Sequence, residues 1–209
     1  MGGMPKTSNR ERILTEGLRV VHEHGFANAS VRDIVQAAGV PQGSFTNHFA
    51  SKEAFGLEIL ELYYDGSKGN MTDTLRNDAR PPLERLGAYL DTQKNRLNDN
   101  SMRNGCLIGN FAAEASDNSE AIRQRVVELY AESRESLAYC LRAAVAAGEV
   151  PANLDCDEIA GFIVSSMQGA ILLSKAHRSP EPIERFKRVL FNNVLAHDDK
   201  GLTICTSVL

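Results

Sequence analysis

The sequence predicts an all-α protein, and three observations carry that prediction. Apolar residues recur at helical spacing along most of the chain. Helix-start signals, a Ser or Asp followed three residues later by an acid, stand in front of several of those runs. No alternating strand pattern, internal repeat or low-complexity stretch interrupts them. With 209 residues, 43% hydrophobic and 24% charged, the chain has material for one large helical domain or two modest ones.

In chain order, Ser8 and Glu11 start a first helix that runs to about His24, with Ile13, Leu14, Leu18 and Val21 on one side and Gly25 ending it. Ser30 and Asp33 start a second at Val31, whose face is Val31, Ile34, Val35 and Ala38; Gly39 is the natural left-handed residue at its end. Pro41 suits the opening of a third, short and polar helix, roughly residues 42–48, which Phe45 and Phe49 anchor at i, i+4 spacing. Ser51 caps a fourth, with Phe55, Ile59, Leu62 and Tyr63 as its stripe, expected to reach about Asn77. Beyond Pro81-Pro82 come Leu83, Leu86, Leu90 and Leu97. A short apolar helix is expected over 104–115, and a long one from a cap at Asn118 to Gly148. A helix from Asp157 to about His177 follows a box at Asp155 and Glu158, and a last one runs from Glu181 to about His197. The domains expected are a head over 8–52, a body over 53–197 and a tail over 198–209.

The 157–177 helix is apolar on most sides, so it is either a central core helix or one that pairs with its copy across a two-fold axis. No uninterrupted apolar run approaches the ~18 residues that span a bilayer, and the N-terminus is polar without a signal-peptide core. Cys106, Cys140, Cys156 and Cys205 lack metal-type spacing. The expectation is a cytoplasmic protein with reduced thiols, no membrane partner, no metal and no cofactor. Net charge is −4, but residues 1–52 hold six Lys/Arg against four acids, a mildly basic segment on an acidic remainder. That sign suits a head that meets nucleic acid.

A helix, a tight turn and a second helix carrying short hydrogen-bonding groups suit a DNA major groove, although an ordinary helical hairpin has the same spacing. The wording of residues 39–55 separates the two. Gly39, Val40, Gly43, Ser44, Phe45, His48, Phe49, Ser51, Lys52, Glu53 and Phe55 resemble the N-terminal motif of the TetR family of bacterial repressors, with Thr46 where the family usually has Tyr. The resemblance implies an all-helical homodimer, joined by the last two long helices and bound to a palindromic double-stranded DNA operator. Ser30, His48 and Lys52 match phosphate-contacting positions; Ser30 is otherwise a pure cap and His48 a surface histidine. Gln42, Ser44, Thr46 and Asn47 are the base-reading candidates, and Gly43 lets the backbone come close. Thr46 reaches less far than a tyrosine and so reads a base or nothing.

The family's body takes a small-molecule effector. Residues 104–114 are apolar and glycine-interrupted, with Cys106 in the first turn, where helix amides stabilise a thiolate; Cys106 is either that or a small inert core residue. This segment, Phe55-Gly56 and the stretch 169–182 resemble the subgroup that controls N-ethylmaleimide reductase and related detoxification genes. That likeness implies sensing of electrophiles or oxidants at Cys106. Lys175 falls at a subgroup position and either pairs with Cys106, condenses with its oxidised form, or snorkels to solvent. A thiol enzyme is the rival of another class. Its usual signs, a Cys-x-x-Cys pair or a cysteine at resolving spacing, are missing from the sequence. No catalytic residue is therefore expected.

Overall fold

The computed structural model describes residues 8–99 and 101–196. Among them it contains nine α-helices and no strand. Three helices form the head. Helix α1 (Asn9–His24) opens on a reciprocal box in which Ser8 Oγ accepts from the Glu11 amide at 3.2 Å and the Glu11 carboxylate accepts from the Ser8 amide at 2.8 Å. Helix α2 (Val31–Ala38) repeats the device with Ser30 and Asp33 and ends at Gly39, φ +60°. Helix α3 is Gly43–His48; Gln42 precedes it with helical backbone angles and makes no capping bond.

The expected ends shift where side chains or backbone intervene. Helix α4 (Lys52–Asp73), capped by Ser51, stops short of Asn77. There Thr74 turns its hydroxyl onto the Asn70 carbonyl, and the Arg76 amide reaches back to Met71. Helix α5 (Pro82–Asn98) begins on its second proline. Helix α6 is only Leu107–Glu114, because Gly105 at φ +70° breaks the helical path. Cys106 is thus its N-cap rather than a first-turn residue. Helix α7 (Glu120–Ala146) is capped by Ser119, not Asn118; the Ser119 hydroxyl accepts from the Ile122 amide and donates to Glu53 of α4. Helix α8 (Cys156–His177) takes two amides onto Asp155 Oδ1. Helix α9 (Glu181–Val189) continues as a π-helical turn, Leu190–Val194. The expected end at His197 and the tail 198–209 lie outside the described residues.

Two features of α8 bear on the sequence reading. It is long and apolar enough by composition to cross a membrane, with a mean hydropathy of 1.4 in its most apolar stretch, although polar residues punctuate it. It is also not enclosed by its own chain. One side packs on α7 and α9, while Leu172 and Leu173 are 68% and 53% exposed, with Phe162 and, on α9, Val189 also open. Contiguous large apolar exposure of this kind marks an interaction surface.

Candidate DNA-reading head and effector cavity

The head is seated by aromatic packing. Phe45, Phe49 and Phe55 lie with ring centroids 5.2–5.4 Å apart, all buried. Gly17 of α1 lets α4 approach, since a Cβ there would stand 2.5 Å from the Phe55 ring. With that side of α3 buried, Gln42, Gly43, Thr46, Asn47 and His48 face outward, and nothing lies within 4 Å of where a Gly43 Cβ would be.

Three site residues differ in setting from a plain outward-facing set. Ser44 is turned toward the core at 8% exposure. The Thr46 hydroxyl donates to the Gly43 carbonyl at 3.1 Å, so its proton is engaged within α3. The Lys52 amine donates to the Ala27 carbonyl at 3.3 Å and sits 4.8 Å over the Phe26 ring; burial lowers its pKa, opposed by the Glu114 carboxylate. Ser30 is exposed, its hydroxyl shared with Asp33. Two cations that the sequence reading passed over also border the motif. Arg12 donates to the Gly39 carbonyl at 3.2 Å, and Arg32 stands exposed beside the Ser30 cap.

In the body, α4, α5, α7 and α8 enclose a cavity of about 100 Å³ with Gly105, Cys106 and Ile108 in its wall and His22 of α1 at its head side. Tyr63 and Tyr64 come from α4, Tyr89, Gln93 and Arg96 from α5, Tyr130 and Ser133 from α7, and Met167 and Gln168 from α8. The Cys106 sulfur accepts from Gln168 Nε2 at 3.6 Å, and the Tyr63 side chain lines the same cavity. Burial, then the neighbouring sulfur, push Tyr63, Tyr89 and Tyr130 above the ordinary phenol range. The stem of Lys175 packs against Gly105, one residue from Cys106. The other described thiols are elsewhere: Cys140 is buried, donates to the Pro82 carbonyl at 3.3 Å and is pushed up to about 11 by burial, and Cys156 is half-buried at the start of α8. Cys205 lies outside the described residues. Among those residues no cluster of His, Cys, Asp and Glu could hold a metal.

The segment that carries Cys106 is fastened to the head at both ends. At one end His22 Nε2 donates to the Gly105 carbonyl at 2.9 Å. At the other, the Glu114 carboxylate accepts from the Ala27 amide at 3.1 Å and presses on Gly25, whose φ of +87° and 2.8 Å clearance leave no room for a side chain. Between them Phe111 stacks on Phe26 at 4.7 Å, and Phe26 in turn fills the space above Gly56 of α4. The turn between α1 and α2 is therefore gripped by α6 and α4 together.

A helix-turn-helix head rigidly built onto a cavity-bearing helical body defines a one-component transcriptional regulator. Two family models match, the bacterial regulatory proteins of the tetR family over residues 13–59 and the tetracyclin repressor-like C-terminal domain over 82–190. The repressor DhaR of Mycobacterium sp. strain GP1 is 34% identical across 92% of this chain and 95% of its own. The repressor NemR of Escherichia coli K12 is 30% identical over 90% of each chain, and the crystal structure of its reduced form superposes with a TM-score of 0.81 over 88% of this chain and 95% of that one, at 28% identity. A TetR regulatory protein from Rhodobacter sphaeroides superposes at 0.84, covering 89% and 98%, at 27% identity. The chain belongs to the TetR family of bacterial transcriptional regulators, which are not enzymes. It is a TetR-type repressor; regulators of this family bind double-stranded operator DNA, typically as dimers that answer to a small effector.

Proposed function

We propose that this repressor, acting in the cytoplasm, reads a palindromic operator with α3 and lets go when a small electrophile, oxidant or apolar molecule reaches Cys106. The head is 8–52 and the body 53–197, with the open faces of α8 and α9 forming the dimer seam. Gln42, Thr46 and Asn47 read bases, Gly43 admits the DNA backbone, Ser44 seats the helix, and Ser30, His48 and Lys52 meet phosphates. Lys52 has three donors, so its bond to Ala27 leaves two for DNA.

The observation that carries the effector half is that Cys106 lines the cavity at the N-cap of α6, in a segment bonded to the head through Gly105 at one end and Glu114 at the other. With a Michael acceptor such as N-ethylmaleimide, the sulfur bonds to one carbon of the C=C bond as its π bond breaks, and the thiol proton passes by way of solvent to the other carbon. An oxidant takes the thiol to a sulfenic acid, with which the Lys175 amine condenses, forming an S–N bond and releasing water. Either adduct crowds the cavity and displaces α6. The α1–α2 turn and the start of α4 follow, and the spacing of the two reading helices changes. Reciprocal coupling then lowers operator affinity. A second reading keeps the route but makes Cys106 inert, with a non-covalent ligand doing the crowding; the tyrosine-lined cavity supports it. Mobility shifts on the chain's own upstream region, with and without diamide or N-ethylmaleimide, decide between them. Wild type should release and Cys106→Ser should hold; equal release sinks the cysteine reading.

A further inference from the structure

The cavity has an electrostatic character that neither its apolar rim nor its cysteine requires. Of the residues lining it, one, Arg96, carries a fixed charge, and none is a carboxylate. The Arg96 guanidinium lies 5.5 Å over the Tyr63 ring and donates one hydrogen bond, from Nη1 to Ser67 Oγ at 3.0 Å. Among the described residues no carboxylate comes within the 4.0 Å of an ion pair with it. The carboxylate that reaches this wall from outside, Glu132 beside Tyr64, is already paired with Arg125 at 3.2 Å. A guanidinium has five donors and strongly prefers a bidentate anionic partner to a neutral one. Half-buried in the cavity wall, Arg96 keeps donors in hand and, among the described residues, has no counter-charge of its own.

We propose that the cavity takes a small organic anion, its carboxylate held by Arg96 and the tyrosine hydroxyls and its other end lying at Cys106. The lining supports that orientation: the Tyr63 ring carries Arg96, and Cys106 stands in the wall of the same cavity. The tyrosines remain protonated at neutral pH and act as donors. On the head-side wall, His22 is held below its ordinary value first by burial, with Lys175 and Arg96 adding to that and the Gly105 carbonyl and Glu23 opposing it. Size limits the ligand. A cavity of ~150 Å³ holds benzene, so the 100 Å³ here suits about four or five non-hydrogen atoms.

The inference rests on this cavity being the effector site, as proposed above, but it is tested without any reaction at Cys106. Propionate and propionamide have the same shape and differ in charge. Their binding to the full-length protein is measured by calorimetry and thermal shift at fixed ionic strength. Propionate should bind saturably and propionamide at least about tenfold more weakly. Arg96→Gln should lose at least about tenfold in propionate affinity with little change toward propionamide, and Arg96→Lys should recover part of the loss. Equal binding of the two probes, binding of neither, or undiminished propionate binding in Arg96→Gln overturns the proposal. If Arg96→Gln does not fold, the wild-type comparison of the two probes decides alone. Should Cys106→Ser still release operator under N-ethylmaleimide, thiol sensing fails while the charge preference stands; if the charge preference is missing and Cys106→Ser holds DNA, the reverse is true.

Discussion

Replacing Glu114 with Ala should uncouple the cavity from the head while leaving each able to bind. Glu114 is the last residue of α6, and its carboxylate accepts from the Ala27 amide at 3.1 Å in the turn that leads into α2. It also attracts Lys52, which bonds the neighbouring Ala27 carbonyl. A half-exposed hydrogen bond of this kind contributes about 1 kcal/mol net, and the screened attraction to Lys52 adds about 0–1 kcal/mol. The coupling between effector and operator is of similar size, about 1–3 kcal/mol in such systems. Losing about 1 kcal/mol of grip should therefore cut the effector-induced drop in operator affinity about fivefold. Glu114→Gln keeps the acceptor oxygen and should fall between wild type and Ala. The assay is operator affinity by fluorescence anisotropy with and without N-ethylmaleimide, alongside maleimide uptake at Cys106 by mass spectrometry and a urea melt to check folding. If folded Glu114→Ala takes up the reagent and releases DNA by the same factor as wild type, α6 does not transmit through this contact and the proposed route is wrong.

Two glycines give opposite stability predictions. Gly17→Ala gains ~1 kcal/mol of helix propensity but drives a methyl to 2.5 Å from a Phe55 ring wedged between Phe45 and Phe49. Overpacking of ~1–3 kcal/mol wins, so a lowered urea midpoint is expected, whereas Gly69→Ala meets nothing within 4 Å and should raise it by the propensity term. His22 is held below its ordinary value first by burial, so between that lowered pKa and about 6.5 the unfolded chain binds a proton the native chain does not. Its contribution is thus intact above about pH 6.5 and lost as pH falls below it; urea midpoints from pH 5 to 7.5 should flatten in His22→Gln, which keeps a donor for Gly105. Lys52→Gln should reduce the slope of log affinity against log salt by about 0.9 per protomer if its amine meets a phosphate, and an unchanged slope would confine it to the Phe26 turn.

The head was legible because its information is local. A capping box, a left-handed glycine and an i, i+4 phenylalanine pair each act within one turn, and Ser8, Ser30, Gly39, Phe45 and Phe49 stand as their spacing implies. Element ends were less legible where neighbours compete. Asn118 and Ser119 are both good caps, and only the bond from Ser119 to Glu53, distant in sequence, selects the second. Periodicity gave α8 its existence but not its surroundings, since a helix apolar on most sides looks the same whether its own chain or a second copy covers Leu172 and Leu173. The turn of Lys52 onto Phe26 and Ala27 depends on tertiary packing, which its own spacing does not encode. The cavity was least legible of all. Cys106 was found from its own chemistry, but His22, Arg96, Tyr130 and Gln168 come from four other helices, and no spacing in one dimension relates them.

The central claim is that chemistry at one side chain governs DNA release. Its most direct test follows operator-bound fraction against the fraction of Cys106 alkylated, titrating N-ethylmaleimide and reading the site by peptide mass spectrometry in the same samples. The account predicts that bound operator falls in step with adduct at Cys106, whatever happens at Cys140 and Cys156, and that Cys106→Ser stays bound throughout. Operator retained by protein fully alkylated at Cys106, or release by Cys106→Ser in parallel with wild type, would contradict it.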